Sequence, residues 1–129
     1  MEKIAITVLS VFFFLTSLVY AAEQEKIAVA AEGKTAAAKV SGVAARAPYF
    51  LIFDESGKLP EAVDNPYKTA KGGAGTSVIL FLAQKGTTMV VAGEFGENMI
   101  QSMKEKGMRY LEFKGSVEEA LKKLLEAKK

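Results

Sequence analysis

Apolar residues change their spacing several times along this chain, and each change marks an element. Ile4 to Val19 is an almost unbroken apolar run behind the cation Lys3, with Phe12-Phe13-Phe14 at its centre. A helix packed on a core keeps one polar side, and this run has none. It predicts a secretory signal peptide over residues 1–21, cut after Val19-Tyr20-Ala21. The run is shorter than the ~20 residues that span a bilayer comfortably, so a membrane association is expected only if the signal stays uncleaved.

Beyond it the pattern is that of one α/β domain over residues 22–129. After a short charged lead-in, Glu23 to Lys26, Ile27 to Ala31 reads as a compact buried strand. Tyr49 to Phe53 is an aromatic and β-branched strand, Asp54-Glu55-Ser56-Gly57 a turn, and Leu59 to Val63 a weaker strand in which Pro60 marks a sheet edge. Thr76 to Gln84 is apolar on nearly all sides and predicts a buried helix closed by Gly86. Thr88 to Ala92 and Met108 to Phe113 read as buried strands, with a helix from Glu97 to Lys106 between them, stopped by Gly107. Ser116 and Glu119 have capping-box spacing, and Val117, Ala120, Leu121, Leu124 and Leu125 fall on one helical face. Strands alternating with helices in the second half require parallel neighbours, while the early hairpin is antiparallel. The expected fold is therefore a mixed sheet with helices packed on it.

Composition narrows the chemistry. Removing 21 of the 129 residues leaves 108, enough for one core without a metal or disulfide staple. The chain has no Cys and no His, which removes disulfides, thiolate sites, ordinary zinc sites and any Ser-His-Asp triad. With 17 basic and 15 acidic residues it carries no excess charge for nucleic acid. The Lys122-Lys123 and Lys128-Lys129 pairs read as a solvated helix face. Asp54 and Asp64 lie at a turn and a loop, and no pair of carboxylates has the spacing of a general acid and base. No catalytic machinery is visible, and an enzyme is not expected.

Two features could still hold a ligand. Gly72, Gly73 and Gly75 precede one helix beside Lys71, and Gly93 and Gly96 open another. Glycine allows close backbone approach, and free N–H groups at a helix start favour an anion. The same glycines would also serve as ordinary turns and caps. Met99 and Met103 are one helical turn apart, with Met89 and Met108 on neighbouring strands. Thioethers could ligate copper(I), but filling gaps between helix and sheet is the better reading. Lys34 to Arg46, a long connection without periodicity, adds the cations Lys34, Lys39 and Arg46.

Taken in order, KIAVAAEG (Lys26 to Gly33), SGVAARAPYFLIFD (Ser41 to Asp54), Asn65-Pro66, GGAG (Gly72 to Gly75) and VVAGEFGENM (Val90 to Met99) resemble the dinitrogenase iron-molybdenum cofactor biosynthesis family, from about Lys26 to Leu125. The resemblance implies a ribonuclease H-like α/β fold with a five-stranded mixed sheet. It also implies binding, without turnover, of an anionic metal-sulfur cluster: an iron-sulfur or molybdenum-containing cluster, a precursor of the iron-molybdenum cofactor, or a related oxyanion. The family's loop residues fall on Ser41, Arg46, Pro48, Gly73, Ala74, Gly75, Gly93, Gly96 and Asn98. Ala44-Ala45 stand where many relatives have Phe-Gly. Lys71-Gly72 stand where many have a histidine, which leaves no imidazole there to ligate a metal.

The expected role is thus a non-enzymatic, periplasmic or secreted binding protein. Ser41, Arg46, Lys71, Gly72, Gly73, Gly75, Gly93, Gly96 and Asn98 would form its ligand site. The alternative is a structural or protein-interaction module of the same fold that has lost cofactor binding. A nuclease, inferred from fold alone, lacks the acidic cluster its metals need. Export is checked by N-terminal sequencing and intact mass of protein from the periplasm or medium. The expected chain begins at Ala22; a full-length chain in the membrane fraction would identify an uncleaved anchor instead.

Overall fold

A computed structural model describes residues 25–58 and 61–127. The signal segment, most of the charged lead-in, Leu59, Pro60 and the Lys128-Lys129 pair lie outside the described residues. Five strands and three helices follow one another: β1 (Lys26–Ala31), β2 (Tyr49–Asp54), β3 (Glu61–Asp64), α1 (Ala74–Gln84), β4 (Met89–Ala92), α2 (Glu97–Glu105), β5 (Arg109–Glu112) and α3 (Val117–Ala127). A 3₁₀ turn at Ala44–Arg46 sits in the connection after β1.

The strands form a single mixed sheet in the order β3-β2-β1-β4-β5. β1 pairs antiparallel with β2, with Lys26 opposite Asp54 and Ala31 opposite Tyr49. It pairs parallel with β4, where Val29 meets Val91. β2 and β3 form the expected antiparallel hairpin, and β4 and β5 the expected parallel pair. Side chains alternate across a strand, so the central strands supply both faces with apolar groups. Ala28, Ala30, Phe50, Ile52, Val90 and Ala92 pack under α1 and α2, together with Met99, Met103 and Met108. Ile27, Val29, Ala31, Leu51, Phe53, Met89 and Val91 face α3 and the Ala36–Val40 segment. Met89 is therefore on the opposite face from the other three methionines, and the four serve packing on two cores.

Several boundaries differ from the sequence expectation for physical reasons. α1 begins at Ala74, two residues early, because Gly73 takes a left-handed φ of 66° and completes the turn ahead of it. The last strand is not buried. β5 is the second sheet edge, so Arg109, Tyr110 and Glu112 are exposed, and Tyr110 rests on Phe95 with ring centroids 5.0 Å apart. α1 also has an open side, where Leu80 is exposed. The capping box at α3 forms as its spacing requires: the Glu119 N–H donates to Ser116 Oγ at 3.1 Å, and the Ser116 N–H donates to Glu119 Oε1 at 3.2 Å.

Residues 39–46 cross the carboxyl ends of the strands as a strap. The Ser41 N–H donates to the Ala30 carbonyl, Gly93 N–H to the Ser41 carbonyl, and Ala44 N–H to the Glu94 carbonyl, at 2.8, 2.8 and 3.0 Å. Gly93 makes this crossing possible. A Cβ built on it would lie 2.8 Å from Gly42 Cα and 2.9 Å from Gly42 O, backbone atoms that cannot yield. Gly93→Ala should therefore destabilise the fold by about 1–3 kcal/mol, the usual cost of forced overpacking, read as a lowered melting temperature. A melting curve equal to the parent's would show that the strap is not seated on Gly93.

Candidate functional site

β1, β4 and β5 are parallel, so their carboxyl ends share one end of the sheet. The chain leaving β1 turns toward β2, and the chain leaving β4 turns toward β5. Where two such connections part, an open α/β sheet has a crevice suited to ligands. Here the Gly42–Gly93 contact closes the middle of that crevice and leaves a cleft on each side, with Val43 lining both.

The first cleft, about 400 Å³, is lined by Val43, Ala45, Arg46, Ala74, Gly75, Gly96, Glu97, Asn98 and Met99. It brings together the starts of α1 and α2. Neither start has a side-chain cap: Gly73 and Gly96 hold the two cap positions. Among the described residues, the N–H groups of Ala74, Gly75, Thr76, Glu97, Asn98 and Met99 have no intramolecular acceptor. The first bonds within reach of those starts are Ser77 N–H to Gly73 O and Ile100 N–H to Gly96 O, both 3.0 Å. Two positive dipole ends thus meet at one cleft. Gly75 lets them meet, since a Cβ on it would lie 3.0 Å from Met99 Cβ.

Of the residues expected at a site, Arg46, Gly75, Gly96 and Asn98 line this cleft, as does Ala74. Lys71, Gly72 and Gly73 lie on the exposed approach to α1 and do not line it. Gly93 lines the second cleft. Ser41 is a buried residue of the strap itself, where its carbonyl holds Gly93. Pro48 acts through its carbonyl, which accepts the Asn65 N–H at 3.1 Å.

Sequence reasoning missed three members. Glu97 puts a carboxylate on the cleft wall opposite in sign to Arg46. Val43 is half exposed at the lip. Asn65 is buried, and its side-chain amide donates to the carbonyls of Ala45 at 3.0 Å and Ala47 at 2.9 Å, while its Oδ1 accepts the Tyr67 N–H at 2.9 Å. Arg46 adds to this clasp by donating through Nη1 to the carbonyls of Lys68 and Ala70. The strap and the arm leading to Gly72-Gly73 are thereby tied together. An asparagine followed by proline was the one visible signal for this, since Asn caps turns through its side chain.

Among the described residues, no group of three or more His, Cys, Asp or Glu side chains converges. At the far end of the sheet the Ser56 hydroxyl donates to Asp54 and holds its carboxyl below the ordinary value; that acid serves the turn.

Comparison with known proteins bears on the family and the fold. The sequence model of the dinitrogenase iron-molybdenum cofactor family matches residues 25–127. The chain belongs to that family. No curated protein sequence matches it. Among solved structures, the apo form of the orange protein from Desulfovibrio gigas is similar at 28% identity, with a TM-score of 0.76 over 80% of this chain and 88% of that one. A Thermotoga protein bearing the NifB name is similar at 35% identity and a TM-score of 0.68, over 79% and 88% of the two chains. A Methanocaldococcus jannaschii protein bearing the dinitrogenase name shares the fold at 13% identity and a TM-score of 0.58, over 79% and 88%. The family expected from the motifs is the one found, and the five-stranded mixed sheet with helices packed on it is the expected α/β architecture.

Replacing Asn65 with Ala leaves two carbonyls and an N–H without partners, so it should cost about 2 kcal/mol in denaturant unfolding. Arg46→Ala, at an exposed position, should cost less while raising amide exchange at Lys68–Ala70. Equal losses from the two variants would contradict the clasp as described.

Proposed function

We propose that this family member binds an anionic metal-sulfur cluster, or an oxyanion of the same charge class, as reversible cargo in the first cleft, without turnover. The observation that carries this reading is the pairing of two uncapped helix starts across one cleft, while α3, which starts elsewhere, has a full capping box. Convergent N–H groups and two positive dipole ends stabilise an anion there without a metal–protein bond. The donor set agrees, since thiolate and imidazole are absent from the chain. Held this way, a preassembled cluster would keep its own ligands. Arg46 supplies the lining cation, its remaining guanidinium N–H groups having no partner among the described residues. Glu97 opposes it and sets a limit on affinity. With the expected signal peptide, the cargo would be handled outside the cytoplasm. The family's cofactor and the apo state of the orange protein structure support a bound group of this kind.

Gly96 offers the sharpest test. A Cβ there meets nothing within 4 Å and its φ is −72°, so a side chain fits without strain. Gly96→Asp places a carboxylate at the cap of α2, where it should raise stability by about 0.5–1 kcal/mol. The same carboxylate occupies the free N–H groups and repels anions, so tetrathiomolybdate affinity should fall at least about tenfold. Glu97→Gln should raise it about threefold by removing one like charge. Stability and affinity moving in opposite directions would not follow from a purely architectural cap. Unchanged affinity in Gly96→Asp, measured by calorimetry or thermal shift, would overturn the site. A parent protein that binds neither tetrathiomolybdate nor molybdate would leave the interaction-module reading standing.

A further inference from the structure

The strap that closes the first cleft builds a second one on its other side. This cleft, about 430 Å³, is lined by the strap from Lys39 to Val43, by Gly93 and Glu94 after β4, and by Phe113 to Gly115 after β5. It lies beyond the carboxyl ends of two parallel strands, a position favourable for small ligands, and its volume is within the range of small-molecule sites.

Its chemistry differs from that of the first cleft, because no helix start opens into it. The apolar part is Val40, Val43 and Phe113, and the charged part is Lys39 and Lys114 against the single acid Glu94. Neither lysine's ammonium group forms an ion pair or hydrogen bond among the described residues, so both are available to a ligand. The ring of Phe113 is fixed by its surroundings. Gly115 has a φ of 148°, a Cβ there would lie 3.0 Å from Phe113 Cε1, and the Lys123 ammonium sits 5.7 Å from the ring centroid. The backbone walls are equally fixed, since Val40 N–H donates to Gly115 O at 2.8 Å and Phe113 N–H to Ala92 O at 2.9 Å.

We infer that this second cleft binds a small amphipathic anion, an aromatic or branched apolar body bearing one carboxylate or sulfonate. The apolar body covers Val40, Val43 and Phe113, and the acid group meets Lys39 and Lys114. The inference does not depend on what the first cleft holds.

The test is an amide-resolved NMR titration of the purified protein with 2-naphthoate, with 2-naphthol as its neutral analogue and inorganic phosphate as a bare anion. The expected result is saturable shifts at Gly42, Gly93, Lys114 and Gly115 with 2-naphthoate and weaker ones with 2-naphthol. Lys39→Ala combined with Lys114→Ala should weaken 2-naphthoate about fivefold with an unchanged melting temperature, as the loss of two exposed ion pairs. Phosphate shifts confined to Gly75, Gly96 and Asn98 would agree with two chemically distinct clefts. Equal binding of acid and alcohol would overturn the inference, as would insensitivity to the two lysines. So would shifts from 2-naphthoate that map to the first cleft or are absent at its solubility limit.

Discussion

Gly42 and Gly93 touch backbone to backbone, and the working end of the molecule is arranged around that contact. A side chain at Gly93 would lift the strap off β4, break the Gly93–Ser41 and Ala44–Glu94 hydrogen bonds, and merge the two clefts into one open crevice, whereas a Cβ on Gly42 would point into open space. A crevice at the parting of two connections is a general property of open α/β sheets. Dividing it is particular to this loop. One side receives the two helix starts and the other receives two lysines and an aromatic ring.

Backbone and side chain divide the labour on the first side. The charge offered to a ligand comes mostly from peptide dipoles, which are fixed by the helices and need no counter-ion when empty. Arg46, the obvious side-chain cation, spends one nitrogen on the carbonyls of Lys68 and Ala70 and so acts partly as a brace. Asn65 completes that brace from below with bonds to Ala45 and Ala47. Preorganisation of this kind lowers the entropy lost on binding, because the groups facing the ligand are already held. Glu97, adjacent to the same N–H groups, favours the empty helix start and competes with an anion.

Much of the fold was legible because each strand and helix carried its own local mark. Tyr49 to Phe53 had the composition of a strand, Ser116 and Glu119 the spacing of a cap, and Gly86 and Gly107 the place of helix stops, with φ values of 82° and 71°. β5 was misjudged as buried because Met108, Leu111 and Phe113 are apolar whichever edge they occupy, and exposure there depends on sheet order. The site was legible in part. Glycines before α1 and α2 pointed to the right helix starts, but the role of Gly93 depends on its partner Gly42, 51 residues earlier, which no local pattern reveals. Likewise Glu97 was read only as a helix residue, and nothing in the spacing placed it across from Arg46.

The two bare helix starts are best understood as stability withheld. A Ser, Thr, Asp or Asn cap contributes about 1 kcal/mol, and this chain uses one at α3. At α1 the cap position requires a positive φ, so glycine there has a geometric reason. At α2 it has none: Gly96 has an ordinary φ and open space around it, and a capping side chain would fit. Leaving that position bare costs stability and keeps the N–H groups of Asn98 and Met99 facing the cleft. Proteins give up stability in this way where a group must remain available to something else. Under the proposed function that something would be an acceptor entering the cleft from outside, which is why this residue, more than the glycines of the GGAG string, is the one on which the anion proposal turns.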